Sequence, residues 1–382
     1  MEKQAGFKNY VLVDPNPKKE NKEASEFEKS LIEKYLKNIV LLENFQIKVI
    51  NENFFYTSYS ITNKNKKYLL KVSTDPENKK LQTEKEALKT INPLVCPELI
   101  NYELNDEYGI EFLLTSWENG DNMENIGIDG FIYNLGTFSA VLDAVHESST
   151  LKIPSFKDKF EENNSICEAK DLIDPQELVL FEKLTGLSID GFKELLYLIK
   201  EKFYTNYKED VSVFCHSNLK FSNILYQSEY IKFINFEHSH VSDIYYSLLK
   251  CINNTGLYYS DKKVRSFLSL YHKHSEIVKN LNLQDFLQTF ESKKEINRVF
   301  VFQDLLCKIL FHFFAYGAFS KKKSLNHFMY VYLNIKPTIE KFFPEYIESL
   351  DRLFFTPMQT VKTYNIEELK SAQSDYINTS IM

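Results

Sequence analysis

Residues 214–249 read FCHSNLKFSNILYQSEYIKFINFEHSHVSDIYYSLL. Two β patterns, NILYQ and YIKFINF, stand close together here, and each is attached to a polar position. His216, position 218 and Asn223 follow the spacing H-x-D-x-x-x-x-N with asparagine at the aspartate position. Asn235 lies at the end of the second strand, twelve residues beyond Asn223. Moving a phosphoryl group requires a carboxylate to take the acceptor's proton, an amide oxygen on a metal ion, and a second carboxylate on that metal. The spacing suits that chemistry, but both acid positions carry neutral amides.

Upstream, the chain supplies the other half of such a site. FQIKVI, YTSYSIT and KKYLLKVS read as three strands, the last two joined by the turn NKNK, and LQTEKEALKTI reads as a helix. Lys71 falls on the third strand and Glu84 on the helix that follows, a pair suited to holding the α- and β-phosphates of a nucleotide. A strand pair ending in GIEFLLTSW completes a small antiparallel lobe, preceded by an amphipathic helix in SEFEKSLIEKYLKNI with Phe27, Leu31, Tyr35 and Leu36 on one face. Past the ENGDNM turn the pattern is mainly helical: FIYNLGTFSAVLDAVHES, DPQELVLFEKL, IDGFKELLYLIKEKFY and everything from Asp243 to about residue 355.

The expected organisation is therefore a flexible segment at 1–24, an N-lobe at 25–118, a helical C-lobe at 119–355 containing the loop segment 214–240, and a polar tail at 356–382. Composition agrees with a folded two-lobed chain. Of 382 residues, 43% are hydrophobic, enough to bury a large core, and ~150 residues per domain suggests two or three lobes. The net charge of −7 provides no basic field to gather nucleic acid. Five cysteines, odd in number and never spaced C-x-x-C, argue against a disulfide framework or zinc site and fit a reducing cytoplasm. The most apolar helix candidate, RVFVFQDLLCKILFHFFAYGAFS, contains Asp304 and Lys308, so it is expected to be buried in protein and not inserted in a membrane.

With these residues in place, the chain resembles the aminoglycoside phosphotransferase and choline-kinase group of small-molecule kinases. CHSNLKFSNIL is similar to that family's H-G-D-x-x-x-x-N-I-L, and FINFEHSHVSDIYYSLL to its I-D-F-E followed by D-x-x-x-D-L. LGTFSAVLDAVHES is similar to its helix ending in L-H, with His146 at the histidine; EFLLTSWENGD and LVCPELI are similar to its hinge and V-P-x-V turn. The likeness runs from about residue 45 to 255. It implies an α+β, two-lobed protein-kinase-like fold: a small antiparallel sheet with one helix, then a larger helical lobe. It also implies roles: Asn218 and His216 in the catalytic loop, Lys71 and Glu84 at the nucleotide, Asn223 and Asn235 at the metal, with ATP and Mg²⁺ as cofactors if nucleotide binding survives.

The departures point the other way. Asn218 and Asn235 remove two charges while preserving shape; an amide is no base, and it is a poor ligand for a hard cation. The first hairpin, INENFFYTSYS, has Phe54, Phe55 and Tyr56 and no glycine, so side chains would fill the phosphate space. Ser247 stands at the second aspartate position. His216 is expected to support the loop by hydrogen bonding. Tyr245, Tyr246, Tyr258 and Tyr259 could cage a quaternary ammonium group, although core packing is the plainer expectation. The leading reading is a pseudokinase acting through a small ligand or protein partner. Alternatives are an active small-molecule kinase in which Glu237 or Asp243 holds the metal, or an enzyme transferring a nucleotidyl group.

Overall fold

The computed structural model describes residues 26–359 apart from 41–44, 53–55, 64–65, 74–78, 106–108, 151, 156–157, 159–181, 183–185, 207–210, 228–229 and 317–321. The expectations for the two tails, for DPQELVLFEKL and for Phe54 and Phe55 fall outside these residues, except that the last helix carries the chain to Gln359.

The N-lobe is a five-stranded antiparallel sheet: β1 (Phe45–Glu52), β2 (Thr57–Asn63), β3 (Lys66–Ser73), β4 (Leu99–Asn105) and β5 (Ile110–Ser116), in the order β1-β2-β3-β5-β4. Side chains alternate across its two faces, as a pleated strand requires. Tyr59, Ile61, Leu70, Ile110, Phe112 and Leu114 face helix α1 (Glu26–Val40), which buries Ile32, Tyr35 and Leu36 against them. Tyr35 stacks on Phe112 at 4.4 Å between ring centres. Residues of opposite parity serve the other face: Leu113 packs with Leu81 of α2 (Lys80–Thr90) and with Tyr56. Lys71 sits between Leu70 and Val72, so the alternation that buries Leu70 against α1 turns Lys71 toward α2.

In the C-lobe, α3 (Met123–Tyr133) and α4 (Leu135–His146) replace the single helix expected from the sequence. The break is at Asn134, whose side-chain amide donates to the Gly130 carbonyl at 2.8 Å and so competes with the helical ladder. The helices α5 (Ile189–Asn206), α6 (Ile244–Asn254), α7 (Asp261–His274), α8 (Leu283–Tyr316), α9 (Lys322–Phe342) and α10 (Ile347–Gln359) make up the helical mass. Within α8 the apolar residues from Val299 to Cys307 are buried in protein, with Phe302 and Leu306 fully enclosed. Among the described residues no helix is long and apolar enough to cross a membrane.

Two small strand groups carry the loops between the lobes. β8 (Ile224–Gln227) pairs with β9 (Tyr230–Phe233) and with the two-residue β6 (Asp121–Asn122). β7 (Ser212–Cys215) pairs antiparallel with β10 (His240–Asp243). In this last pair His240 is buried opposite Cys215. The β7–β10 pair clamps the two ends of the segment from His216 to Ser239, so both polar loops emerge from one fixed base.

Candidate functional site

Lys71 is the centre of the cleft. Its ammonium donates to both Glu84 oxygens, at 2.9 and 2.6 Å, and to Asn235 Oδ1 at 2.9 Å, and lies 3.7 Å from Glu237 Oε2. Burial opposes the charge on Lys71, but the carboxylates of Glu84 and Glu237 outweigh it and raise its pKa, so the lysine stays cationic. Tyr56 closes the near side: its ring centre is 4.7 Å from the ammonium, and its hydroxyl donates to Glu237 Oε1 at 3.4 Å. Burial pushes the Tyr56 pKa up, so the phenol remains protonated.

From Lys71 a chain of donors runs through the loop residues. An ammonium can only donate, so Asn235 presents its oxygen to Lys71 and its amide nitrogen elsewhere. That nitrogen donates to Asn223 Oδ1 at 2.7 Å, and Asn223 Nδ2 donates to the Asn218 carbonyl at 2.8 Å. The direction of every amide is thereby fixed from both ends. The two positions expected to face a metal ion instead face each other, with an N–H where the cation would be required.

The loop itself is held from behind. His216 Nε2 donates to the Ile234 carbonyl at 2.9 Å, which leaves Nδ1 to accept from the Asn218 N–H at 3.3 Å. Burial lowers the His216 pKa to about 4, so the ring is neutral near pH 7 and acts as a brace. Ser217 adopts φ 65° and Asn235 φ 64°, both left-handed. Asn254 Nδ2, at the end of α6, holds the Ser217 carbonyl at 3.3 Å. Further back, His146 Nε2 meets Ser247 Oγ at 2.8 Å and Nδ1 meets the Tyr271 hydroxyl at 2.7 Å. A serine–histidine contact thus stands where the resemblance implied an aspartate brace.

Lys71, Glu84, His216, Asn218, Asn223 and Asn235 are therefore brought together in one cleft. Glu237 joins them, two residues past Asn235. Asp243, the other acid considered, does not: it caps α6 by accepting from the Tyr245 N–H at 2.9 Å and pairs with Lys293 at 3.1 Å. Tyr245 and Tyr246 form no cage; they are buried against Phe286 and Phe300. Two contributors escaped the sequence reading. Lys232 reaches across the lobes to the Pro93 carbonyl at 3.0 Å and to Glu118 at 2.8 Å, and Asn254 props the loop. Single polar residues on a strand or helix end carry no periodic signal that would have revealed them.

The donor set does not fit Mg²⁺. Of Asn223, Asn235 and Glu237, Glu237 alone carries a carboxylate, and the two amides are committed to one another. Among the described residues no group of three or more His, Cys, Asp and Glu is placed to hold a metal ion.

A sheet lobe with one helix against its cleft face, a helical lobe, and a strand-anchored loop between them define a two-lobed protein-kinase-like fold. Solved structures of that fold are similar to this chain. Choline kinase LicA from Streptococcus pneumoniae is 15% identical, with a TM-score of 0.56 over 82% of this chain and 100% of that one. An ethanolamine kinase from Plasmodium vivax is 14% identical, with a TM-score of 0.56 over 84% of this chain and 91% of that one. A thermostable mutant of aminoglycoside phosphotransferase APH(4)-Ia, in ternary complex with AMP-PNP and hygromycin B, is 10% identical, with a TM-score of 0.52 over 81% and 97%. At these identities the likeness is one of fold. No protein-family model matches the sequence, and no curated protein does.

Proposed function

We propose that this chain is a pseudokinase: a protein with a phosphotransferase fold that acts by holding a small ligand or protein partner and does not transfer phosphate. The observation that carries this reading is the donor chain Lys71 → Asn235 → Asn223 → Asn218 carbonyl. It ties the two loop amides to one another, and it uses an amide N–H where a metal-dependent site needs a second oxygen. The asparagine at position 218 also supplies no base, a loss that costs about 10²- to 10⁴-fold in rate. Tyr56 supports the same reading by occupying the space beside Lys71. Cys96, Cys215 and Cys251 are free and buried, which supports a reducing, cytoplasmic setting.

Calorimetric titration with ATP, with and without Mg²⁺, tests this on the wild type and on Asn218→Asp/Asn235→Asp. The wild type is expected to show no Mg²⁺-dependent heat, and tight Mg²⁺-dependent binding would overturn the proposal. One observation favours the alternative of an active small-molecule phosphotransferase. Glu237 Oε2 is buried without a hydrogen-bond partner, 3.7 Å from Lys71, and is the acid best placed to hold a metal. Under that reading the wild type hydrolyses or transfers phosphate from ATP, and Glu237→Gln abolishes it.

A further inference from the structure

Strand β9 does more than lead the chain to Asn235. Its Ile231 and Phe233 are buried in the core, and the alternation turns the half-buried Lys232 to the opposite face. There Lys232 meets the turn that follows α2. Its ammonium donates to the Pro93 carbonyl at 3.0 Å and to the Cys96 carbonyl at 3.4 Å, and the neighbouring Phe233 N–H donates to the Val95 carbonyl at 2.9 Å. The turn is also held from within: the Val95 N–H donates to the Asn92 carbonyl and the Leu94 N–H to Asn92 Oδ1, both at 3.0 Å. Three of its carbonyls, those of Pro93, Val95 and Cys96, thus accept from β9.

The third acceptor of Lys232 is Glu118, in the segment that connects the lobes, with Oε2 at 2.8 Å. An ammonium has three N–H groups, and here each has an oxygen. The other Glu118 oxygen accepts from Ser116 Oγ at 2.6 Å, and Ser116 Oγ accepts in turn from the Glu98 N–H at 2.9 Å, at the foot of β4. The connecting segment also runs close against β8: a Cβ added at Gly120, where φ is 141°, would stand 3.0 Å from the Tyr226 carbonyl. One lysine of the C-lobe therefore holds the turn after α2 and the connection between the lobes at the same time.

We propose that Lys232 is a positioning residue, a clamp that fixes the angle between the lobes and with it the gap between Glu84 and Asn235. Both sides of the clamp lead directly into the cleft. Helix α2 carries Glu84 and ends at Thr90, just before the turn, and β9 ends at Phe233, just before Asn235. Lys71 bridges the same two segments, 2.6 Å from Glu84 and 2.9 Å from Asn235. A lobe joined only through its connecting segment can swing about it as about a hinge, and a second tie made of charge-assisted bonds opposes that swing. The clamp is independent of whether the cleft transfers phosphate, because a ligand of either kind enters between lobes that Lys232 holds together.

Hydrogen exchange at single backbone amides of the full chain tests this. Phe233 is the reporter, because its N–H is bonded across the lobes. In Lys232→Met its exchange is expected to quicken by about 10- to 100-fold, while amides of β3 and β5, inside the N-lobe sheet, keep their wild-type rates. Lys232→Arg, which retains the charge and several donors, should restore most of the protection. Glu118→Gln removes the ion pair and leaves the turn contacts in place, so it should quicken Phe233 by less, and it carries the test if Lys232→Met does not fold. The clamp is overturned if Phe233 exchanges at the wild-type rate in both Lys232→Met and Glu118→Gln, or if it quickens equally in Lys232→Met and Lys232→Arg. A uniform rise across β3, β5 and Phe233 also overturns it, since that pattern marks a general loss of stability and not a release of one lobe from the other.

Discussion

Ser217 shows how closely the loop keeps a shape its sequence has partly abandoned. Loops of the family it resembles carry glycine there, and the backbone here still adopts φ 65°, where a side chain costs about 1–2 kcal/mol. Part of that strain is offset by the Asn254 contact to its carbonyl. Ser217→Gly should therefore raise stability by up to about 1 kcal/mol after the entropy gained by the unfolded chain is subtracted, and Ser217→Val should lower it by more than that. A shift of the urea midpoint at constant slope is the measure. Two histidines make a second prediction at this scale. Burial lowers His216 to about 4 and His146 to about 3, against 6.5 for a free ring. The unfolded chain therefore takes up protons below pH 6.5 that the folded chain refuses. Stability is complete above pH 6.5 and drains away as pH falls toward 4, by on the order of 3 kcal/mol for each ring. In His216→Gln the fall between pH 7.5 and 4.5 should be visibly shallower; an unchanged slope would mean that the buried ring takes up its proton without loss.

At the scale of elements, α6 separates two acids that looked interchangeable in the sequence. Asp243 belongs to the helix: it caps α6 and pairs with Lys293. Asp243→Ala should cost about 2 kcal/mol, and Asp243→Asn about half as much, because asparagine caps equally well and only the ion pair is lost. Neither change should affect ligand binding in the cleft, whereas Glu237→Gln should. The strands and helices of the N-lobe were legible because alternation and turn chemistry agree there. KKYLLKVS gives β3 to the residue, and the position of Lys71 within it follows. In α1, Leu36 is fully buried, as its place on the apolar stripe implied. The β7–β10 pair was not legible, since β7 ends at Cys215 and β10 begins only at His240, so no turn links the two strands in the sequence. The break at Asn134 was missed for a different reason: one side-chain bond to Gly130 overrides a helical pattern that continues on both sides. Within the site, the spacing identified Asn218, Asn223 and Asn235, but the order in which they donate depends on Lys71, 147 to 164 residues earlier in the chain.

In the whole molecule, the lobes are joined by contacts that cross the cleft itself. Phe233 N–H donates to the Val95 carbonyl at 2.9 Å, Lys232 grips Pro93 and Glu118, Tyr56 reaches Glu237, and Lys71 reaches Asn235. Lys71 is the charged member on which the others depend, because Glu84 and Glu237 are both buried beside it. Removing one partner of a buried ion pair typically costs about 3–5 kcal/mol, since the remaining charge loses its compensation. Lys71→Met should therefore destabilise the chain by that order, with two carboxylates left uncompensated and Asn235 Oδ1 left without its donor. Lys71→Met/Glu84→Gln should recover a large part of the loss by removing one of those charges. Chemical unfolding of the three proteins decides it. If Lys71→Met unfolds within about 1 kcal/mol of wild type, the lysine is a spare ligand-binding group waiting for a phosphate. The predicted loss and its partial rescue would instead make it a cation on which the folded cleft depends, whatever it binds.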